Sequence, residues 1–408
     1  MTDSPARRRL GLLGRALLLL VLASTLTGLA LLRPWAEHTP LGLLSLFDPD
    51  VRVENFRAME RIMPARRIAA SEAPFRFARE ERPLEVRYEF EGETRTLESF
   101  LERVSATGLL VVKDDVIVTE RYFQGATEQT RFTSWSIAKS FVSTLVGMAL
   151  LDGRIASLDD PISRYAPALE QTAYAGVPIE HVLQMSSGVD FDERYATKTS
   201  DINLFFAKLF VLGRRADDVI ADYGRERPSG EVFHYVSLDT HVLGYMLREL
   251  YGRSLASLVE ERIWKPLGME HDALWNLDAI EGDEIGFCCL NATLRDYAKL
   301  GRLYLNGGEW EGRRLLPEGF TVRATRPSAP HLEAGASPYG YGKRGYQYQW
   351  WSPEAPEGEY FAAGVWGQYV YVSEPDRLIV VRTSVDPHFR AHQDESIAVF
   401  RAIRDALR

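Results

Sequence analysis

Phe132-Thr133-Ser134-Trp135-Ser136-Ile137-Ala138-Lys139-Ser140-Phe141 is the stretch on which the fold turns. From Ser136 onward, apolar residues fall at Phe141, Val142, Leu145, Val146 and Ala149, the spacing of a helix with one strongly buried face. Gly153 follows as its stop. Ser136 and Lys139 sit three apart at the start of that helix, so their side chains share a face and can touch. A serine hydroxyl is a weak nucleophile until a base takes its proton. A desolvated lysine held against it can be that base, and a helix N-terminus favours the negative charge that develops. The Ser-x-x-Lys letters alone are weak, because a solvated capping serine followed by a surface lysine spells them equally well.

Ahead of this helix, residues 108–112 and 116–118 carry the β-branched content of strands on either side of the polar turn Lys113-Asp114-Asp115. Behind it, residues 159–316 read mostly as helix with polar breaks, closing at Asn306-Gly307-Gly308. Strand patterns return at 359–363, 368–372 and 378–383, with Glu374-Pro375-Asp376 as a turn. Residues 396–407 read as a terminal amphipathic helix, and no repeat of the solenoid kind is visible. Hairpin, long helical insert, strands and final helix together predict an α+β fold. Its form is an α/β sandwich in which an antiparallel sheet is flanked by helices, beside a helical lobe.

The chain has 408 residues, 46% of them hydrophobic, enough to bury a large core. Acidic residues outnumber basic ones 57 to 48, a net charge of -9, so no global field attracts nucleic acid. The only cysteines, Cys288 and Cys289, are adjacent and poorly placed for an ordinary bridge with each other, so a disulfide framework is not expected. Residues 10–32 are almost wholly apolar, interrupted by Arg15 and preceded by Arg7, Arg8 and Arg9. That pattern reads as a transmembrane helix with its basic flank in the cytoplasm, Arg15 snorkelling. A cleaved signal peptide, with small residues at Gly28-Leu29-Ala30, is the alternative. The anchor is preferred because the apolar run continues through Leu31 and Leu32. The expected division is a cytoplasmic N-terminus (1–9), an anchor or signal segment (10–32), a linker packing on the body (33–83), and the main folded domain (84–408).

The stretch around Ser136 closely resembles the first motif of the serine β-lactamase and penicillin-binding superfamily, as written in its esterase and amide-hydrolase branches. Three further stretches look like structural signatures of the same family: Ser157-Leu158-Asp159-Asp160-Pro161-Ile162-Ser163-Arg164-Tyr165, His181-Val182-Leu183-Gln184-Met185-Ser186-Ser187-Gly188, and Ala292-Thr293-Leu294-Arg295-Asp296-Tyr297-Ala298-Lys299-Leu300-Gly301. The ordered series covers about residues 90–408 and is far more specific than any one motif. It implies a β-lactamase/transpeptidase-like fold.

In that family the second motif is Tyr-x-Asn or a relative, and Phe233-His234-Tyr235-Val236-Ser237 stands at its place. The resemblance makes Tyr235 the catalytic tyrosine, its phenol losing a proton more readily beside a lysine ammonium and relaying it between Ser136 and the leaving group. Ser237 replaces the familiar asparagine as a substrate contact. The third motif is typically Lys-Thr-Gly, and the matching Gly364-Val365-Trp366-Gly367-Gln368 lacks the lysine. By resemblance, the N–H groups of Ser136 and Gln368 form the oxyanion hole, Gly367 lets substrate approach the strand, and Trp366 lines the pocket. Losing the cation weakens recognition of a β-lactam carboxylate.

This altered third motif looks most like the 6-aminohexanoate-dimer hydrolase branch and related family VIII carboxylesterases. There a loop after the Met-Ser-Ser-Gly type segment helps bind substrate; here it includes Asp192, Glu193, Tyr195 and Asp201, of which Tyr195 and Asp201 are the substrate-binding candidates. Asn291 is a further one. No zinc motif, phosphate loop or Gly-x-Ser-x-Gly elbow occurs, so neither metal nor cofactor is expected. The expected activity is hydrolysis of an amide or ester of a small molecule through an acyl-enzyme on Ser136. The catalytic domain would lie outside the cytoplasm, at the inner membrane on the periplasmic side, or be secreted after signal cleavage. The alternatives are a peptidoglycan D-amino-acid peptidase, a β-lactamase, or a penicillin-binding sensor that does not turn over.

Overall fold

The computed structural model describes residues 5–32 and 37–408, with the side chains of residues 5–12 and 14 outside that description. The cytoplasmic segment expected at 1–9 therefore falls largely outside the described residues. One eight-stranded sheet organises the body, its strands in spatial order Arg344–Gln347, Trp350–Pro353, Glu359–Gly364, Gln368–Ser373, Leu378–Ser384, Ala106–Lys113, Val116–Tyr122 and Ala78–Arg79. The pairings are antiparallel except at the last edge, where Ala78 and Arg79 run parallel to Val116 and Ile117.

The central strands are apolar on both faces, and period-two alternation assigns each face its own core. Leu110, Val112, Val370, Val372, Ile379 and Val381 join one cluster with the helical lobe. Their neighbours Leu109, Val111, Tyr369, Tyr371, Leu378 and Val380 join a second, with Phe100 and with Phe400 of the terminal helix Gln393–Ala406. Helices thus cover both faces, as the α+β sandwich requires. The helix Leu294–Leu305 comes closest to the sheet at Gly301, where a Cβ would crowd Ile379, Val370 and Val372.

The helical lobe is inserted between the strands Val116–Tyr122 and Arg344–Gln347 and carries a small sheet that its composition did not announce. In that sheet Ala273–Asn276 and Leu290–Ala292 pair with each other and with Ala65–Ile68 and Phe132–Thr133. Part of the stretch read as linker thus contributes a strand to the lobe and buries Phe56, Met59, Met63, Ile68 and Phe77 in its core. The helix Ala138–Leu151 departs from the one-faced pattern: Ala138 through Ala149 are all buried, because sheet and lobe enclose it.

The Ala-Thr-x-Arg-Asp signature is structural. Thr293 caps its helix by accepting from the Asp296 N–H, and buried Asp296 accepts from the N–H groups of Glu270 and His271. At the other end of the chain, the helix Pro5–Leu32 holds an apolar stretch, Arg15–Leu32, with mean hydropathy 2.0 and none of it buried.

Candidate active site

Ser136 lies one turn earlier than a simple helix start, in a 3-10 turn, Trp135–Ile137, that feeds the helix Ala138–Leu151. The turn is anchored from the small sheet: the Ser134 N–H donates to the Leu290 carbonyl at 2.7 Å, and Ser134 Oγ accepts from the Leu290 N–H at 3.1 Å. Trp135 takes a left-handed φ of +44°, costly for a bulky residue. Its ring is held there by Phe56 at 5.1 Å and Phe47 at 5.7 Å.

The following turn points Lys139 at Ser136. Buried Lys139 Nζ donates to Ser136 Oγ at 3.2 Å, to Ser237 Oγ at 3.1 Å and to the Phe287 carbonyl at 2.9 Å. The Tyr235 and Phe287 rings flank it at 5.2 and 5.0 Å. Burial lowers its pKa to about 7, partly opposed by the charge of Glu193. At neutral pH this amine is therefore available as a base.

Tyr235 stands just before the helix Ser237–Tyr251, its ring stacked on Trp351 at 5.4 Å, and lines the same cleft as Ser136. Here an expectation is reversed. Burial pushes the phenol well above its ordinary value, with the Glu193 charge adding to it, so Tyr235 stays protonated at neutral pH, where Lys139 is partly deprotonated. Proximity to Lys139 cannot overcome burial, since desolvation penalises a phenolate and an ammonium alike.

Glu193 is the buried carboxylate behind this arrangement, and its hold on Ser237 was not legible in the sequence. Its oxygens accept from the Ser237 hydroxyl at 2.5 Å, the Ser237 N–H at 2.9 Å and the Tyr195 hydroxyl at 2.5 Å. Ser237 thus bridges Lys139 to Glu193. The Phe-Asp-Glu-Arg-Tyr spelling shows only a polar loop and gives no signal that this one carboxylate turns inward.

Ser136, Glu193, Tyr195 and Tyr235 line a cleft of about 160 Å³, walled by Trp351 and Phe361 among others. That is smaller than the usual ligand cleft of roughly 300–1,000 Å³ and suits a short chain. Of the substrate-contact candidates, Tyr195 alone lines it. Ser237 is spent between Lys139 and Glu193. Asp201, on the first turn of Asp201–Phe210, accepts from the Asp192 N–H and ties down the loop. Asn291 is consumed inside the small sheet, donating to Leu274 O, Cys289 O and Asn276 Oδ1.

The third motif is likewise shifted. Trp366 packs away from the cleft, stacked on Phe47 at 5.3 Å with the Arg52 guanidinium 5.2 Å over it. Gly367, at φ +84°, turns the chain beneath Ser384, and its carbonyl accepts from Arg382 and Ser384. Gln368 donates to the Ser384 carbonyl at 2.7 Å and borders a separate small cavity beside Phe56 and Thr133. The close approach occurs at Gly364, where a Cβ would collide with the Ser134 carbonyl and come within 3.1 Å of Ser136 N. Gly364 and Val365 line the cleft, and among the described residues no backbone acceptor takes the Val365 N–H.

Cys288 and Cys289 correct another expectation. They form a disulfide with each other, directly after Phe287, in a turn where Cys289 adopts φ +71°. That left-handed conformation allows the neighbouring sulfurs to meet. Among the described residues no group of His, Cys, Asp or Glu has the makings of a metal site.

The family model described as Beta-lactamase matches residues 94–402. The chain is 26% identical over 303 residues to a 6-aminohexanoate-dimer hydrolase of Paenarthrobacter ureafaciens, covering 71% of this chain and 75% of that protein. It is 29% identical over 226 residues to Penicillin-binding protein 4 of Amycolatopsis lactamdurans, covering 52% and 54%. A solved structure from Bacillus anthracis, provisionally named a 6-aminohexanoate-dimer hydrolase, superposes with a TM-score of 0.79 at 24% identity, covering 88% of this chain and 95% of that one.

Proposed function

The chain belongs to the Beta-lactamase family and is a serine hydrolase, and from that premise we propose that it cleaves linear amides or esters through an acyl-enzyme on Ser136. The observation that carries this reading is the 3.2 Å approach of a lysine amine with a pKa near 7 to a half-buried serine hydroxyl.

Neutral Lys139 takes the Ser136 proton as the hydroxyl oxygen attacks the carbonyl, and the Ser136 and Val365 N–H groups receive the oxyanion. Val365 takes the part first expected of Gln368, since it lines the cleft and its N–H is unclaimed. Protonated Tyr235 donates to the departing amine or alcohol, the acyl group stays on Ser136, and water then releases the acid with the relay run in reverse. Glu193 is a positioning residue, holding Ser237 against Lys139.

Two measurements test the chemistry. Because the neutral form of Lys139 is the active one, kcat/KM should rise with pH along a limb centred near 7. Glu193→Gln removes the charge that opposes the lowering, so the limb should move to lower pH; a limb that stays put or moves higher would count against Lys139 as base. Substrate choice is checked with a butyrate ester, a linear aminohexanoyl amide and a cephalosporin. The small cleft and the absent third-motif lysine favour the first two, and a cephalosporin proving the best of the three would favour a β-lactamase instead.

The apolar N-terminal helix supports an exported protein, held by an inner-membrane anchor with its body in the periplasm, or released there by signal cleavage. The Cys288–Cys289 disulfide favours the same side, since such bonds persist in oxidising compartments. Fractionation is expected to leave the full-length chain with the membrane. Recovery of the intact chain in the soluble fraction would rule out the anchor.

A further inference from the structure

The segment that follows the apolar N-terminal helix is folded onto the body by one face only. The short helix Pro40–Leu44 is capped by Thr39, whose Oγ1 accepts from the Leu41 N–H at 3.0 Å, and Leu43 packs against the main core. Asn55 holds the chain beyond it, donating to the carbonyls of Ser45 at 3.1 Å and Leu46 at 3.3 Å, and the Leu46 side chain is buried. The opposite face is apolar where a surface helix is ordinarily polar. Leu41 and Leu44, three apart on one side of that helix, are exposed, Leu44 by 77%, and Phe47 and Val51 continue the exposure. Other exposed large hydrophobics of the body, such as Leu151 and Leu204, stand singly along the chain and ask for no partner. Four within the eleven residues 41–51 do ask for one.

The tether decides which partner can reach them. The apolar helix ends at Leu32, and the eight steps from there to Pro40 span at most about 29 Å at full extension. A headgroup layer adds only about 5–8 Å beyond the hydrocarbon core. A helix crossing a bilayer therefore leaves the patch free to lie on the membrane surface and unable to move far from it. Asp48 and Asp50 are exposed within the same stretch, so apolar contact, and not attraction to anionic lipid, would hold it there.

We propose that Leu41, Leu44, Phe47 and Val51 rest on the bilayer surface, giving the body a second contact with the membrane that residues 10–32 cross. The inference rests on the anchor reading of that helix. It also orients the body: Phe47 stacks on Trp135 at 5.7 Å and on Trp366 at 5.3 Å, so the turn that carries Ser136 lies on the membrane side, one ring from the patch.

The test places a bimane fluorophore on Leu44→Cys in the full-length chain, reconstituted in phosphatidylcholine vesicles. The native cysteines are bonded to each other and buried, so only the new thiol takes the label. The comparison is the same label on Leu151→Cys, at the far end of the helix Ala138–Leu151 and about 20 Å along it from the Ser136 turn. Both leucines are exposed, so neither replacement endangers folding. Doxyl-labelled phosphatidylcholine should quench the label at 44 more than the label at 151, and aqueous iodide should quench it less. Adding Leu41→Glu should weaken the lipid quenching at 44 and open the label to iodide. In chains that float with the vesicles, a label at 44 quenched by lipid no more than the label at 151, or lipid quenching untouched by Leu41→Glu, would overturn the patch alone. Full-length chain that does not float with the vesicles would overturn the anchor and the patch together.

Discussion

Ser136→Ala is expected to lower kcat by on the order of 10⁶-fold, the scale seen when a hydrolase nucleophile is removed, and to abolish labelling by a serine-directed phosphonate. The reasoning is local. Ser136 is the hydroxyl that Lys139 reaches, at 3.2 Å, and it stands half-exposed in the cleft where a carbonyl can approach. The substitution removes only an oxygen, so the Trp135–Ile137 turn, held by Ser134 and Leu290, should persist. Circular dichroism of the variant checks that. Labelling or turnover surviving in folded Ser136→Ala protein would move the nucleophile elsewhere.

Tyr235→Phe should cost about 10²-fold or more in kcat, the usual contribution of one general acid or base. The ring's stacking on Trp351 is retained, so the loss isolates the hydroxyl. Because burial keeps that hydroxyl protonated, the variant should suffer most with substrates whose leaving group needs a proton. An alkyl amide should lose more than a 4-nitrophenyl ester, whose phenolate leaves unaided. An equal loss on both substrates would show that Tyr235 positions Ser136 and does not protonate the leaving group, and near-normal rates on both would make it packing.

Much of the site was legible because its parts are local. Ser136 and Lys139 are placed by helical spacing alone, and Tyr235 by its position before a helix in an ordered series of motifs. The failures share one physical cause. Ser237, Asp201 and Asn291 are polar residues beside recognisable motifs, and each is engaged away from the cleft by a buried neighbour or a backbone group. Burial demands such satisfaction, and a sequence does not display it. Trp366 and Gly367 failed because the turn carries them past the strand end, Trp366 under Phe47 and Phe56, and leaves Gly364 and Val365 facing Ser136.

The α+β architecture, the family resemblance and the apolar N-terminal helix were legible in the sequence, which also nominated Ser136, Lys139 and Tyr235 for the chemistry. These rest on period, spacing and hydropathy, properties carried by neighbouring residues. Only the tertiary structure decided that Lys139 is the group with the lowered pKa and Tyr235 the protonated one, because both follow from complete burial by distant elements. It alone turned Glu193 inward, and it alone laid Phe47, from the stretch read as linker, on Trp135 and Trp366. Desolvation and convergence depend on what surrounds a side chain in space, and that neighbourhood is assembled from segments hundreds of residues apart in the chain.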